Sequence, residues 1–226
     1  MKSLKLLVLS AIFLKVPWVH AGYTQKVPGF FLNHFAQMKD LKDPLCNQFM
    51  NKLYRGGQPT FDGSNQWLQK IQEKQIKMVF DLREEKGNAA KERDTLLKNG
   101  IAYVNLPLRT SGSSQLEQMT VEVALPPTEE GGAPTISKKT MKNVDATLYV
   151  LSLMEGAIME PSNKGVYLHC MRGEDRTGMM IALLRNCQQN SQDKKVNTSW
   201  KSEFSEYGGS MYKPLQKLMT DVNKSR

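Results

Sequence analysis

The sequence is poor in several things, and each absence removes a class of protein. Three cysteines (Cys46, Cys170 and Cys187) in 226 residues are too few for a disulfide scaffold. With only His20, His34 and His169, a metal centre built on histidines is not expected, and no cofactor is implied. There are no internal repeats and no low-complexity tracts. Charge is not gathered in any dense basic run, so nucleic acid is not an expected partner. What is present suits a globular protein. Hydrophobic residues make up 40% and charged residues 23%, and the mean hydropathy is −0.47. The length allows one sizeable domain.

The N-terminus reads as an address label. Lys2 and Lys5 precede an almost wholly apolar stretch from Leu6 to Leu14, which Pro17 follows. That stretch is far short of the ~20 residues a spanning helix needs. Val19-His20-Ala21 suits signal-peptidase cleavage after Ala21, and the first cysteine, Cys46, is too distant for a lipoprotein anchor. The expectation is a signal peptide over 1–21, a periplasmic or secreted protein, and no membrane anchor. Cleavage removes three lysines and no acid, taking the formal charge from +9 to +6. A small anionic substrate fits that balance. In an oxidising compartment Cys46 and Cys187 are able to pair, leaving Cys170 free.

Residues 22–50 read as an irregular lead-in with a short helix near Phe30–Met38, and 51–226 as a single domain. Leu53-Tyr54-Arg55 reads as a strand closed by Gly56-Gly57-Gln58-Pro59. A helix is expected over 62–74, capped by Asp62 or Ser64. A strand follows over 76–82, a helix over 89–98 ended by Asn99-Gly100, and a strand over 101–106. Residues 107–134 read as one long Pro/Gly/Ser-rich loop. From Thr135 or Ser137 a long helix is expected to about Glu155, on the spacing of Val144, Leu148, Leu151 and Met154. Val166-Tyr167-Leu168 is a strand and 176–187 an apolar helix. Two further helices are expected near 198–207 and 211–223. Strands alternating with helices predict an α/β fold with a central, mostly parallel sheet.

One stretch carries chemistry: His169-Cys170-Met171-Arg172-Gly173-Glu174-Asp175-Arg176-Thr177-Gly178. A strand ends at Cys170, a helix begins near Arg176, and five residues lie between them. That spacing curls the chain so that backbone N–H groups line one concavity, to which the helix N-terminus adds partial positive charge. Gly173 permits the close approach a side chain would hinder. Cys170, beside Arg176 and a helix N-terminus, is expected as a thiolate and is then a nucleophile. Arg176 suits bidentate binding of phosphoryl oxygens. The Thr177 hydroxyl can bond the sulfur. Met171, Arg172, Gly173 and Glu174 complete the binding loop, with the side chains of Arg172, Glu174 and Asp175 turned outward. His169 reads as an organiser of Cys170, not a base.

This stretch resembles the phosphate-binding loop of the cysteine-dependent protein tyrosine phosphatase superfamily: His-Cys, five residues, then Arg-Ser/Thr. Tyr54-Arg55-Gly56-Gly57-Gln58-Pro59 resembles the early strand-turn of bacterial dual-specificity-like phosphatases, and Trp200, Glu206, Tyr207 and Gly208 their closing helix. Asp81-Leu82-Arg83-Glu84-Glu85 resembles a run found in those enzymes and especially in the secreted cysteine phytases. The resemblance implies the phosphatase α/β fold and a metal-independent phosphomonoesterase acting through a phosphocysteine intermediate. It implies that Asp81 braces the loop by pairing with a cation, expected to be Arg176, and that Arg83 touches substrate phosphates.

The family protonates the leaving oxygen with an Asp on a mobile loop, yet no Asp lies between Pro107 and Val144. The carboxylates there are Glu117, Glu122, Glu129 and Glu130. Position before Pro134 favours Glu130, with Glu129 beside it; Asp175, inside the loop itself, is the rival. A secreted phosphate trap suits inositol polyphosphates such as inositol hexakisphosphate, with Lys138, Lys139, Lys142, Arg109 and Arg83 as compensating charge. Glu174 and Asp175 argue for a less charged ester, which a dual-specificity or tyrosine protein phosphatase would take. A phosphate-binding module without catalysis, and a sulfurtransferase or arsenate reductase, are the readings from other classes.

Overall fold

In a computed structural model, the described residues are 36–37, 52–61, 65–84, 88–109, 118–129, 131–185 and 213–225. The expected signal peptide, Cys46, Cys187, and the stretch of Trp200, Glu206, Tyr207 and Gly208 lie outside them. So do Asp62, Ser64, Glu85, Glu117, Glu130 and the expected helix near 198–207.

The strands are β1 (Ala36–Gln37), β2 (Leu53–Gly56), β3 (Ile76–Asp81), β4 (Ala102–Asn105), β5 (Gln118–Leu125), β6 (Thr135–Lys142) and β7 (Gly165–His169). The helices are α1 (Gln66–Glu73), α2 (Ala89–Lys98), α3 (Asn143–Met159), α4 (Asp175–Arg185) and α5 (Lys213–Ser225). They form one seven-stranded sheet in the order β1-β2-β7-β3-β4-β5-β6. The centre, β2-β7-β3-β4, is parallel. The remaining pairings, β1 on β2, β5 on β4 and β6 on β5, are antiparallel.

Burial on both faces explains the apolar reading of the central strands, whose side chains alternate between two cores. Phe80, Val104, Val166 and Leu168 point to one face, where α3, α4 and α5 cover them with Val150, Leu151, Met154, Met180 and Leu215 among others. Val79, Tyr103 and Tyr167 point to the other, under Trp67 and Ile71 of α1 and Leu96 and Leu97 of α2. Asn65, in the left-handed region at φ 50°, stands at the N-cap position of α1 without a side-chain capping bond.

Three expectations are corrected. Residues 107–134 are not one loop, since they contain β5. Residues 135–142 are strand, and the long helix starts at Asn143. Of the short helix expected near 30–38, the two described residues, 36 and 37, form a strand. The β5 segment Met119-Thr120-Val121-Glu122-Val123 alternates apolar with polar, a strand signal hidden by the Pro- and Ser-rich flanks. β6 shows no such alternation because seven of its eight residues are exposed. Its apolar signal is too weak to interrupt the helical spacing that follows.

The register also fixes two ends of the sheet. His169, Asp81, Asn105 and Glu122 stand level across β7, β3, β4 and β5. This is the carboxyl end of the parallel strands, where ligands of open α/β sheets bind. β5 runs the other way. Leu125 lies three residues beyond Glu122, about 10 Å toward the opposite end at ~3.3 Å per residue. The β5–β6 turn is at the amino end.

Candidate active site

β7 delivers His169 and Cys170 to the carboxyl end, and the chain turns through 171–174 into α4. The loop is pinned from behind by the turn after β2. Gln58 N–H donates to the Met171 carbonyl (3.1 Å), and the buried Arg55 guanidinium donates to the Gly173 carbonyl. Gly173 sits at φ +80°, and a Cβ there would run into the backbone of Gly56 and Gly57. No other residue type meets both demands without strain.

Cys170 is buried, 3% exposed, and is a free thiol. Burial pushes its pKa up. The Arg176 charge, the Thr177 hydroxyl and the N–H groups of Thr177 and Gly173 outweigh that, so the thiol lies below its ordinary range. Thr177 is fully buried, and its hydroxyl has no other partner among the described residues. One Arg176 nitrogen, Nη1, donates to the carbonyls of Leu82 and Leu108, both at 3.1 Å. Its Nε is buried without a partner. Arg176 is therefore oriented by backbone, with guanidinium donors left for an anion.

Asp81 does not brace Arg176 as expected. Its carboxylate takes Arg83 Nε at 2.8 and 3.0 Å and Nη2 at 2.6 Å, together with the Tyr103 hydroxyl at 2.8 Å. Arg83 is 6% exposed and also donates to Gln58 (2.9 Å) and to Glu92. It is thus a buried cross-link whose donors are taken up by Asp81, Gln58 and Glu92. The cause is local: Asp81 and Arg83 flank Leu82 as β3 ends, and the guanidinium folds back onto its neighbour.

Behind the loop the same network reaches His169, which is fully buried. Its Nε2 lies 2.9 Å from Glu92 and its Nδ1 3.9 Å from Asp81. Nδ1 is also 3.2 Å from the Cys170 carbonyl. The ring stacks on Tyr167, centroids 5.3 Å apart. Burial disfavours the imidazolium, but Glu92 and Asp81 raise the His169 pKa above its ordinary value. Asp81, Glu92 and His169 bring ligand-type atoms within 4.8 Å of one another. The Arg83 guanidinium, bonded to both carboxylates, is the cation that occupies this cluster.

The expected general acids separate clearly. Glu129 and Gly131 stand on the β5–β6 turn, at the end of the sheet away from Cys170, and Glu130 between them lies outside the described residues. This topology places Glu129 away from the thiol, while the reading of Glu130 as the proton donor falls on a residue outside the described ones. Glu122 is engaged by Arg93 (3.1 Å) and Lys138 (2.8 Å). Asp175 is the first residue of α4, within the loop and half-buried. Met171 and Arg172 are exposed at the loop's outer side, and Arg172 lies 3.9 Å from Glu174. Glu92 escaped the sequence reading, and Arg55 and Gln58 entered it only as part of the β2 strand-turn. For Glu92 a signal existed: an acid at helical spacing with Ala89 and Leu96, on the buried face of α2.

A buried, acidified thiol in an anion-binding loop at the carboxyl end of a parallel sheet defines a cysteine-dependent phosphatase. A profile of the tyrosine phosphatase family matches residues 50–196, and the chain belongs to that family. No curated protein matches in sequence. Among solved structures, the chain is similar to TpbA of P. aeruginosa, crystallised in complex with pTyr. Identity is 16%, covering 88% of this chain and 99% of that one, with a TM-score of 0.45. It is also similar to human DUSP28 (9%, 77% and 89%, TM-score 0.45) and to the Trypanosoma brucei protein tyrosine phosphatase TbPTP1 (12%, 91% and 77%, TM-score 0.49).

Proposed function

We propose that this phosphatase hydrolyses phosphate monoesters carrying a single phosphate on a partly apolar body, phosphotyrosine being the simplest example. The observation that carries the reading is the make-up of the loop's surroundings. Arg83 is withdrawn into the interior, Lys138 is paired with Glu122, and Arg109 lies 3.8 Å from Glu84. The apolar Met171 side chain, by contrast, is 55% exposed next to the nucleophile. That arrangement suits one dianion and an apolar leaving group better than a ring of phosphates.

In this mechanism the Cys170 thiolate attacks phosphorus, forming an S–P bond as the P–O bond to the leaving group breaks. Asp175 gives its proton to the departing oxygen. Arg176 and the loop N–H groups hold the equatorial oxygens. Water, giving its proton to the Asp175 carboxylate, then attacks phosphorus; the S–P bond breaks, phosphate is released, and the sulfur leaves as a thiolate stabilised by Thr177.

Inositol polyphosphates are the second reading. What favours them is the N-terminal stretch from Lys2 to Ala21, read as an export signal, since few phosphotyrosine proteins are met outside the cell. The test is phosphate release in chelator from a phosphotyrosine peptide and from inositol hexakisphosphate, with Cys170→Ser as control. Faster Cys170-dependent release from the peptide is expected. Faster release from the inositol substrate reverses the order of the two readings. Stoichiometric vanadate binding without turnover of either ester points to a binding module.

A further inference from the structure

The buried network behind the loop includes a residue the reaction does not touch. Glu92, on α2, is 1% exposed. Its carboxylate is divided between two basic side chains from different parts of the sheet. Oε2 accepts from Arg83, and Oε1 lies 2.9 Å from His169 Nε2. The other ring nitrogen of His169 faces the Cys170 carbonyl at 3.2 Å.

We propose that Glu92 is a positioning residue: through the His169 imidazolium it holds the Cys170 backbone, and with it the nucleophile, from the side of the loop opposite the substrate. The inference rests on Cys170 being the nucleophile of the proposed reaction.

Charge balance supports it. The groups around His169 are Glu92 from α2, Asp81 from β3 and Arg83 just after it, Tyr103 from β4 through Asp81, Tyr167 on its own strand, and Cys170. Two carboxylates face one arginine. A neutral His169 would leave one uncompensated negative charge in the interior, which is costly. A protonated His169 closes the balance and makes Nδ1 a donor to the Cys170 carbonyl. The positive charge then lies beside the thiolate's own residue.

The sign of one substitution separates this role from simple electrostatics. In Glu92→Gln the side chain keeps its size, but the charge is gone. Removal of a nearby anion, acting directly, would stabilise the thiolate and lower the Cys170 pKa. Loss of the His169 proton acts the other way and from closer by, so the positioning role predicts a rise.

The test uses purified protein and no substrate. Alkylation of Cys170 by iodoacetamide, followed by peptide mass against pH, reads the thiolate fraction. Imidazole NMR reads His169, one of three histidines. In the wild type, one histidine is expected to stay protonated well above the ordinary ~6.5. In Glu92→Gln it should titrate in the ordinary range, and Cys170 alkylation on the acid limb should slow about tenfold, the equivalent of one pKa unit. An alkylation profile unmoved or displaced to lower pH overturns the proposal even if the variant is less stable. Should Glu92→Gln fail to fold, a neutral wild-type His169 at pH 7 overturns it, and a protonated one upholds it. Neither readout depends on turnover, so failure to find a phosphatase substrate would be a separate result.

Discussion

β7 and β6 belong to one sheet, yet they are made of different material. All five residues of β7 are buried. None of the eight residues of β6 is, and three of them are lysines. β7 has a parallel neighbour on each side and a helical layer on each face. β6 pairs with β5 alone among the described strands. Exposed lysines on such a strand are a common device against edge-to-edge association. The centre of this sheet thus holds a site in place, and its antiparallel border presents charge to solvent.

The contrast can be broken at several points. The largest effect is expected from Asp175→Asn, which should slow release from an alkyl phosphate by about 10²–10⁴-fold. Glu129→Gln, on the far turn, should leave the same rate unchanged. Equal loss in the two variants would undo the placement of the chemistry at one end of the sheet. Next comes packing. Phe80→Ala, fully buried in β3, should cost about 3–5 kcal/mol in urea unfolding.

Gly173→Ala follows at about 1–3 kcal/mol, from its positive φ and the collision with Gly56. It should also weaken vanadate binding, because the strain falls on the loop itself. The smallest effect belongs to the border. Ile136→Ala in β6, where the side chain is 44% exposed, should change stability by no more than about 0.5 kcal/mol. A cost approaching that of Phe80→Ala would mean that β6 is covered and the contrast is false.

The same contrast explains what could be read from the chain alone. Buried strands and amphipathic helices announce themselves by periodicity, so β2, β3, β4, β7, α2 and α4 stand within a few residues of their expected places. Cys170, Arg176, Thr177 and Gly173 were legible because five-residue spacing between a strand and a helix has few geometric solutions. The partners of Asp81 were not. One acid in a chain with 31 basic residues has many possible cations, and the nearest in sequence prevailed because the strand ends there. Glu130 was favoured by its distance from a proline, a one-dimensional argument. Such a count ignores strand direction: β5 runs antiparallel to β4, which takes Glu129 on the following turn away from the site.

The contact between Gly56 and Gly173 has a consequence for how this chain can be lengthened or shortened. Two stretches of main chain, bound also by Arg55 to Gly173 across 118 positions of sequence, meet without side chains to act as padding. A side chain in such a contact could be trimmed or repacked to absorb an error. Bare backbone cannot. The register of β2 on β7 must therefore be kept to the residue, and a one-residue insertion within 53–57 would turn the β2 side chains that follow it to the opposite face. Length variation is tolerable in the connections away from this crossing, such as the β5–β6 turn, where it leaves the phosphate loop unmoved.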